Sequence, residues 1–149
     1  KIDNHKFKET FGCKAKMLTP EEAVEEANFT LKRLAHIPLD MPIYFDSEYS
    51  GEYPDGRADL LSITQRTSLA RVFCDTIETA GYEAGVYASQ NFFGTTLDYL
   101  PVSHYSIWLA NYTRGQSLPT FFYDYDMWQF TESGTMSGFS GRVDINVIF

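Results

Sequence analysis

The sequence predicts one α/β domain built from parallel βαβ units, and two observations lead to this fold class. The first half of the chain alternates between helical and strand patterns, whereas strands joined by loops and at most short helices make up the second half. The chain has 149 residues, which is enough for one domain with its own core. We therefore expect a single domain over residues 1–149, without internal repeats or linkers.

The first predicted helix spans residues 19–36. Thr19 has the side chain of an N-cap, Pro20 occupies the first helical position, and Glu22 completes a capping box. Apolar residues then recur at helical spacing, namely Val24, Ala27, Leu31 and Leu34. This pattern predicts an amphipathic helix that packs through these apolar side chains.

The second predicted helix runs from about Ala58 to Ala80 and follows a segment rich in glycine and proline. Gly81 is a natural residue to end it, because glycine adopts the left-handed conformation found just after helices. The apolar stripe of this helix comprises Leu69, Phe73 and Ile77. A long helix with one buried face is the expectation.

Five segments have β patterns. They are residues 42–46, 83–89, 104–112, 125–130 and 141–149. In parallel α/β folds, ligands bind at the carboxyl ends of the strands. Polar and aromatic residues at those ends are therefore the first candidates for a functional site.

Charge and composition exclude several partners. The formal net charge of −8 repels phosphate backbones and anionic membrane surfaces, so we expect neither nucleic acid nor membrane as a partner. No apolar run reaches the roughly 18 residues of a membrane span, and no signal peptide is visible at the N-terminus. Cys13 and Cys74 lack a close-spaced motif, and we interpret them as free thiols.

The segment PIYFDSEYS, residues 42–50, runs an apolar strand pattern directly into two acids. Residues two apart in a strand share a face, so Tyr44, Asp46 and Glu48 are predicted to point away from Ile43 and Phe45. Two close carboxylates cannot both ionise freely, which suits one as an acid and the other as a base or nucleophile in glycosidic cleavage. An exposed acidic turn is the alternative interpretation.

Metal binding is disfavoured as an explanation of the acid pair. The three histidines, His5, His36 and His104, show no ligand spacing relative to it. The chain also lacks a G-x-S-x-G elbow, a Walker loop and a G-x-G-x-x-G motif. We therefore expect no metal and no cofactor.

Further candidates lie at or near the ends of other predicted strands. They are Tyr87, Trp108, Trp128 with Gln129, and Asp144 with Asn146. Aromatic rings stack on sugar faces, and carboxamides orient hydroxyl and amide groups, although core packing is the better explanation of each aromatic residue taken singly. Asp144 is the strongest of these candidates, because burying an ionised residue inside the run VDINVIF would be costly without a partner.

The ordered set of these segments resembles glycoside hydrolase family 25, the Chalaropsis-type lysozymes and phage endolysins. The matching segments are TPEEAVEEANFTLKRL, PIYFDSE, GYEAGVYAS, IWLANY and MWQFTESGTMSGFSGRVDINVIF. The likeness runs from about Thr19 to Phe149, and residues 1–18 are atypical. A strand of the type GIDVS, whose Asp joins the active-site acids in that family, is not found in this chain.

The resemblance implies a muramidase that cuts the β-1,4 bond between N-acetylmuramic acid and N-acetylglucosamine in peptidoglycan. By motif, Glu48 would be the general acid, Asp46 the second carboxylate and Asp144 a further active-site acid. Substrate-binding positions on the strands would be Tyr44, Tyr87, Trp108 and Gln129. The resemblance also implies an extracellular or cell-wall location and a possible phage origin.

The resemblance, taken together with the length of the chain, implies an incomplete (β/α) TIM-like barrel that lacks its first strands. A complete barrel needs about 250 residues, so this chain would supply about five of eight βα units. An incomplete parallel sheet leaves open edges, and we expect a homo-oligomer to cover them. Two functions stay open at this point: an active muramidase, or a truncated, inactive relative that retains at most cell-wall sugar binding.

Overall fold

The structure, a computed structural model, describes residues 19–35, 37–51, 53–113 and 117–149. The expectations for residues 1–18 and for the thiol of Cys13 lie outside this part of the chain. Three α-helices are described: α1 (Pro20–Leu34), α2 (Ile63–Thr79) and α3 (Gln90–Thr95), with a short 3₁₀ helix at Leu100–Val102. The strands are β1 (Ile43–Ser47), β2 (Ala84–Ser89), β3 (Ser106–Ala110), β4 (Met127–Gly134) and β5 (Val143–Ile148).

The strands form one five-stranded sheet in the order β1-β2-β3-β4-β5. β1 to β4 are parallel, as the alternation of helices and strands predicted. β5 instead runs antiparallel to β4, so the expectation of a wholly parallel sheet is wrong at the last strand. Only residues 135–142 join β4 to β5, and a parallel crossover needs a dozen residues or more.

The beginning of α1 agrees with its sequence signals. The Thr19 hydroxyl accepts a hydrogen bond from the Glu22 amide at 3.3 Å, and Pro20 is the first helical residue. The buried face differs from the prediction, because Ala23 and Ala27 are fully buried while Val24 is 37% exposed. Small side chains on this face allow α1 to pack closely against α2.

The second helix begins five residues later than predicted, at Ile63 instead of Ala58. Ser62 and Gln65 form a reciprocal capping box that sets this start. Its predicted stripe of Leu69, Phe73 and Ile77 is buried. The predicted stop is confirmed too, since Gly81 has a φ of +88°.

The hydrophobic core lies between the helices and one face of the sheet. Ile43 and Phe45 of β1 contribute to it, and the Phe45 ring lies 5.5 Å from the Phe73 ring of α2. The buried thiol of Cys74 donates to the Gly85 carbonyl oxygen and is free, as predicted. This packing leaves the other face of the sheet for the candidate site.

Candidate functional site

The two acids of β1 lie where the alternation of the strand predicts them. Ile43 and Phe45 are buried against the helices, while Tyr44 and Asp46 occupy the opposite face. Glu48 follows the last residue of β1, at the carboxyl end of the strand, and both acids are exposed. The sheet thus presents two carboxylates to solvent at the edge where parallel α/β folds bind ligands.

Aromatic residues of the next two strands adjoin this pair. Tyr87 of β2 is the register partner of Asp46, and Trp108 of β3 is the register partner of Tyr87. The Trp108 ring packs edge-to-face on Tyr87 at 4.7 Å and on Tyr44 at 5.3 Å. Its indole Nε1 donates to Asn146 Oδ1 of β5 at 2.8 Å, which fixes the ring plane.

A hydrogen-bonded fork joins three strands on the same face. The carboxamide oxygen Oε1 of Gln129 accepts the hydroxyl proton of Tyr87 at 2.7 Å and that of Tyr112 at 3.1 Å. Gln129 is only 3% exposed. Tyr112 is the second residue after the end of β3. We call these three residues the Gln129 fork.

The phenol of Tyr87 is close enough to both β1 acids to be affected by their charges. Burial is the main cause that raises the pKa of Tyr87 above its usual value, followed by the neighbouring Tyr112 and the charges of Glu48 and Asp46. Tyr87 therefore remains a neutral hydrogen-bond donor at neutral pH. The Tyr87 hydroxyl therefore lies within the electrostatic range of both acids.

The pKa of Tyr112 is affected by acids near the end of β1 and on β5. Burial raises the pKa of Tyr112, and the charges of Glu132, Asp144 and Glu48 raise it further. Asp144 itself is exposed, so the burial that made it a candidate in the sequence is not found. Asn146, two residues further along β5, bonds to Trp108 on the site face, so the alternation of the strand places Asp144 on the same face.

The Tyr44 side chain extends across β2 to the amino end of β3. Its hydroxyl hydrogen-bonds with Ser106 Oγ at 3.0 Å, at the amino end of β3. Gly85 provides the space for this ring, because a Cβ at that position would collide with it. Tyr44 thus supports Trp108 from the amino side of the sheet.

A cavity of about 460 Å³ opens at the amino ends of the strands, next to Tyr44 and Asp126. The Asp126 carboxylate already accepts hydrogen bonds from the Ile107 amide at 2.8 Å and from Ser106 Oγ at 3.2 Å. These bonds fix the amino end of β3. The cavity therefore lies at the amino ends of the strands, whereas the exposed acids lie at the carboxyl end of β1.

Sequence reasoning missed Tyr112 as a site residue, although it is an aromatic residue at the end of a predicted strand. Its position in the fork depends on a contact with β4, which the local pattern does not encode. Trp128, by contrast, is a core residue: it is 5% exposed, and its Nε1 donates to the Asn111 carbonyl oxygen at 2.8 Å.

The residues that the structure describes lack a metal-binding cluster and a membrane-spanning helix. They contain no group of three or more His, Cys, Asp or Glu side chains that could hold a metal ion. None of their helices is both long enough and apolar enough to cross a membrane.

Known proteins with similar sequences and structures were found for most of the chain. An autolytic lysozyme of Clostridium acetobutylicum is 33% identical over 130 residues, which are 87% of this chain and 36% of that protein. The crystal structure of the CTP1L endolysin has a TM-score of 0.70 at 28% identity, and the match covers 89% of this chain and 44% of that one.

A second similar structure was solved with a synthetic peptidoglycan ligand. The modular autolysin LytC of Streptococcus pneumoniae, in complex with a synthetic peptidoglycan ligand, has a TM-score of 0.75 at 25% identity; the match covers 89% of this chain and 32% of that one. The present chain thus spans about a third of the curated relative and less than half of either structure.

A family model also matches most of the chain. The model for glycosyl hydrolases family 25 matches residues 13–139, which include both acids of β1 and the Gln129 fork. The five-stranded mixed sheet agrees with the fold of the similar structures. The chain therefore belongs to glycosyl hydrolases family 25.

Proposed function

We propose that this protein is a peptidoglycan hydrolase, a muramidase that cleaves the β-1,4 bond between N-acetylmuramic acid and N-acetylglucosamine. The observation that carries the proposal is geometric: Asp46 pairs with Tyr87 in the sheet register, and Asn146, two residues after Asp144, accepts a hydrogen bond from Trp108. Acids of β1 and β5 thus lie on the sheet face that carries the Gln129 fork. Family membership and the autolytic lysozyme among its relatives support the same reaction.

Glu48 is the proposed general acid. It protonates the glycosidic oxygen, while Asp46 stabilises the positive charge that develops on the sugar. Asp144 supplies a further negative charge from β5. The phenols of Tyr87 and Tyr112 stay neutral and donate their protons to Gln129 Oε1, so they add no charge to the site.

The glycan strand of peptidoglycan is the proposed partner, bound across the carboxyl ends of β1 to β4. Trp108 and Tyr87 offer ring surfaces to a sugar, and Gln129 offers a carboxamide. Tyr44 contributes by holding the Trp108 ring. No cofactor takes part in this proposal.

We propose that the strands β1 to β4 form part of a (β/α) TIM-like barrel within one catalytic domain. Their parallel arrangement supports this architecture. We further propose that the chain forms a homo-oligomer and that it acts outside the cell or at the cell wall. The endolysin among the similar structures supports such a location.

Glu48→Gln tests the assignment of the general acid. Removal of a general acid costs about 100-fold or more in rate, so the variant should release reducing ends from purified peptidoglycan at least that much more slowly. Glu78→Gln is a matched control, because Glu78 lies exposed on α2, on the other side of the sheet. Equal rates for the wild type and Glu48→Gln would remove Glu48 from this role.

The alternative, an inactive relative that only binds sugars, is tested with the same preparations. Titration with muropeptides measures binding separately from turnover. Binding without any release of reducing ends by the wild type would favour the alternative, and rapid turnover would exclude it.

A further inference from the structure

The Gln129 fork fixes the orientation of a buried carboxamide. A carboxamide oxygen has two lone pairs, and in Gln129 both are used, one by Tyr87 and one by Tyr112. The phenols that donate to it stay protonated, because burial and nearby negative charge raise their pKa values. The oxygen of Gln129 is therefore held away from any further donor.

The amide nitrogen of Gln129 is the remaining polar group of this side chain. Gln129 Nε2 donates to no residue that the structure describes, and it is not one of the fully buried atoms without a partner, so this nitrogen reaches solvent although the side chain is 97% buried. A donor that reaches solvent can exchange its water for an acceptor on a ligand. Gln129 is on the sheet face that carries Tyr87 and Asp46, and a ligand bound there can supply the acceptor.

We propose that Gln129 Nε2 donates to the carbonyl oxygen of a sugar 2-acetamido group, which makes the Gln129 fork the determinant of specificity for N-acetylated sugars. This inference rests on the proposed function and deepens it. An amide NH₂ only donates, and the acetamido oxygen is the strongest neutral acceptor on such a sugar. The partly exposed ring of Trp108, which packs on Tyr87 at 4.7 Å, provides apolar surface for the acetyl methyl group.

Tyr112 is a positioning residue in this arrangement. It acts on the sugar through Gln129, since its hydroxyl occupies the second lone pair of Oε1 at 3.1 Å. Without this bond the carboxamide can rotate and offer its oxygen to the ligand. Loss of the Tyr112 hydroxyl should thus reduce selectivity more than it reduces overall affinity.

Binding of two neutral tetrasaccharides tests the proposal directly. Chitotetraose carries the 2-acetamido group and cellotetraose carries a hydroxyl in its place, so their affinities differ through that group and not through charge. Isothermal titration calorimetry on a Glu48→Gln background prevents hydrolysis. We expect chitotetraose to bind at least about tenfold tighter, because the donor loses its acceptor in the cellotetraose complex.

Substitutions of Gln129 separate its donor from its acceptor. Gln129→Glu keeps an acceptor for both tyrosines but removes the NH₂ group, and the ratio of the two affinities should fall towards one. Gln129→Met, which adds no charge, should do the same, and Tyr112→Phe should lower the ratio in part. Asn28→Asp is the matched control, because it adds the same charge at an exposed position of α1, away from the site; its ratio should stay at the wild-type value.

The results distinguish this inference from the muramidase proposal. If the wild type cleaves peptidoglycan but Gln129→Glu and Gln129→Met keep the full preference for chitotetraose, the acetamido assignment is wrong and the muramidase proposal stands. If the preference depends on Gln129 but no cleavage occurs, recognition stands and catalysis does not. Absence of any preference in the folded Glu48→Gln protein overturns the inference.

Discussion

Ser47, between the two acids, illustrates how a strand separates functions at the scale of one residue. Asp46 and Glu48 lie on the exposed side, while Ser47 points towards the helices and is 1% exposed. Its hydroxyl has no hydrogen-bond partner among the residues the structure describes. A polar side chain therefore occupies an apolar environment at the base of the candidate site.

Ser47→Ala should stabilise the protein. The substitution removes a buried hydroxyl whose hydrogen bonds to water are lost on folding, so the free energy of unfolding should rise by about 1 kcal/mol. Urea denaturation followed by circular dichroism measures this change. Ser106→Ala is the contrasting control, because its hydroxyl bonds Tyr44 and Asp126, and its loss should lower stability. A Ser47→Ala protein less stable than the wild type would show that this hydroxyl is satisfied.

Residue-level prediction from the sequence succeeded where a local period decides the outcome. The alternation in β1 placed Ile43 and Phe45 on one side and Asp46 on the other, and the structure agrees. The fork between Tyr87, Tyr112 and Gln129 could not be predicted in this way. Its partners are 17 and 42 positions apart, and only the sheet register brings them together.

At the scale of elements, the loop between β1 and α2 is held by one carboxylate. Asp59 is 5% exposed and accepts from the Ser50 amide at 2.8 Å, from Ser50 Oγ at 2.6 Å and from the Gly56 amide at 3.0 Å. A Cβ at Gly56 would collide with the side chains of Ser50 and Asp59, so glycine is needed there. Because Ser50 follows Glu48 by two positions, these bonds also restrain the backbone of the proposed acid.

The role of Asp59 explains why the start of α2 was predicted too early. The run from Ala58 onwards has helical composition, but Asp59 bonds backwards to the loop, and Ser62 caps the helix instead. Arg66 adds to this arrangement through its electrostatic attraction to Asp59 and its position over the Phe92 ring, at 5.1 Å. Tertiary contacts thus override local propensity at this boundary.

Asp59→Asn should change how stability depends on pH. The Ser50 hydroxyl, then the backbone amides of Ser50 and Gly56 and the charge of Arg66, lower the pKa of Asp59 in the folded protein. A lowered folded pKa stabilises the protein above the unfolded value of about 3.9, and this contribution is lost as the pH falls through the folded pKa. The wild type should therefore exceed Asp59→Asn in stability at pH 7, and the difference should shrink in acid.

Denaturation of both proteins between neutral and strongly acidic pH measures this difference. Asp55→Asn is the matched control, since Asp55 is an exposed acid of the same loop. A difference between the wild type and Asp59→Asn that stays constant over the whole pH range would show that the Asp59 carboxylate is not held as described.

At the scale of the whole molecule, the strand edges of the sheet favour association between copies of the chain, and the net charge opposes it. Within the described residues, β1 pairs only with β2, and β5 pairs only with β4, so each has an edge available for another chain. Ile148 and Phe149 at the β5 end are 63% and 67% exposed. The net charge of −8, however, makes two copies repel each other.

This opposition gives self-association a defined salt dependence. Screening shortens electrostatic range from about 30 Å at 0.01 M salt to about 3 Å at 1 M, whereas strand pairing and apolar contact are little weakened. Sedimentation of the 149-residue chain should show a mass above 17.0 kDa at high protein concentration, and the larger species should increase with salt. The melting temperature should rise with protein concentration, because association stabilises the folded state. A constant mass of 17.0 kDa at every concentration and salt level would exclude the homo-oligomer.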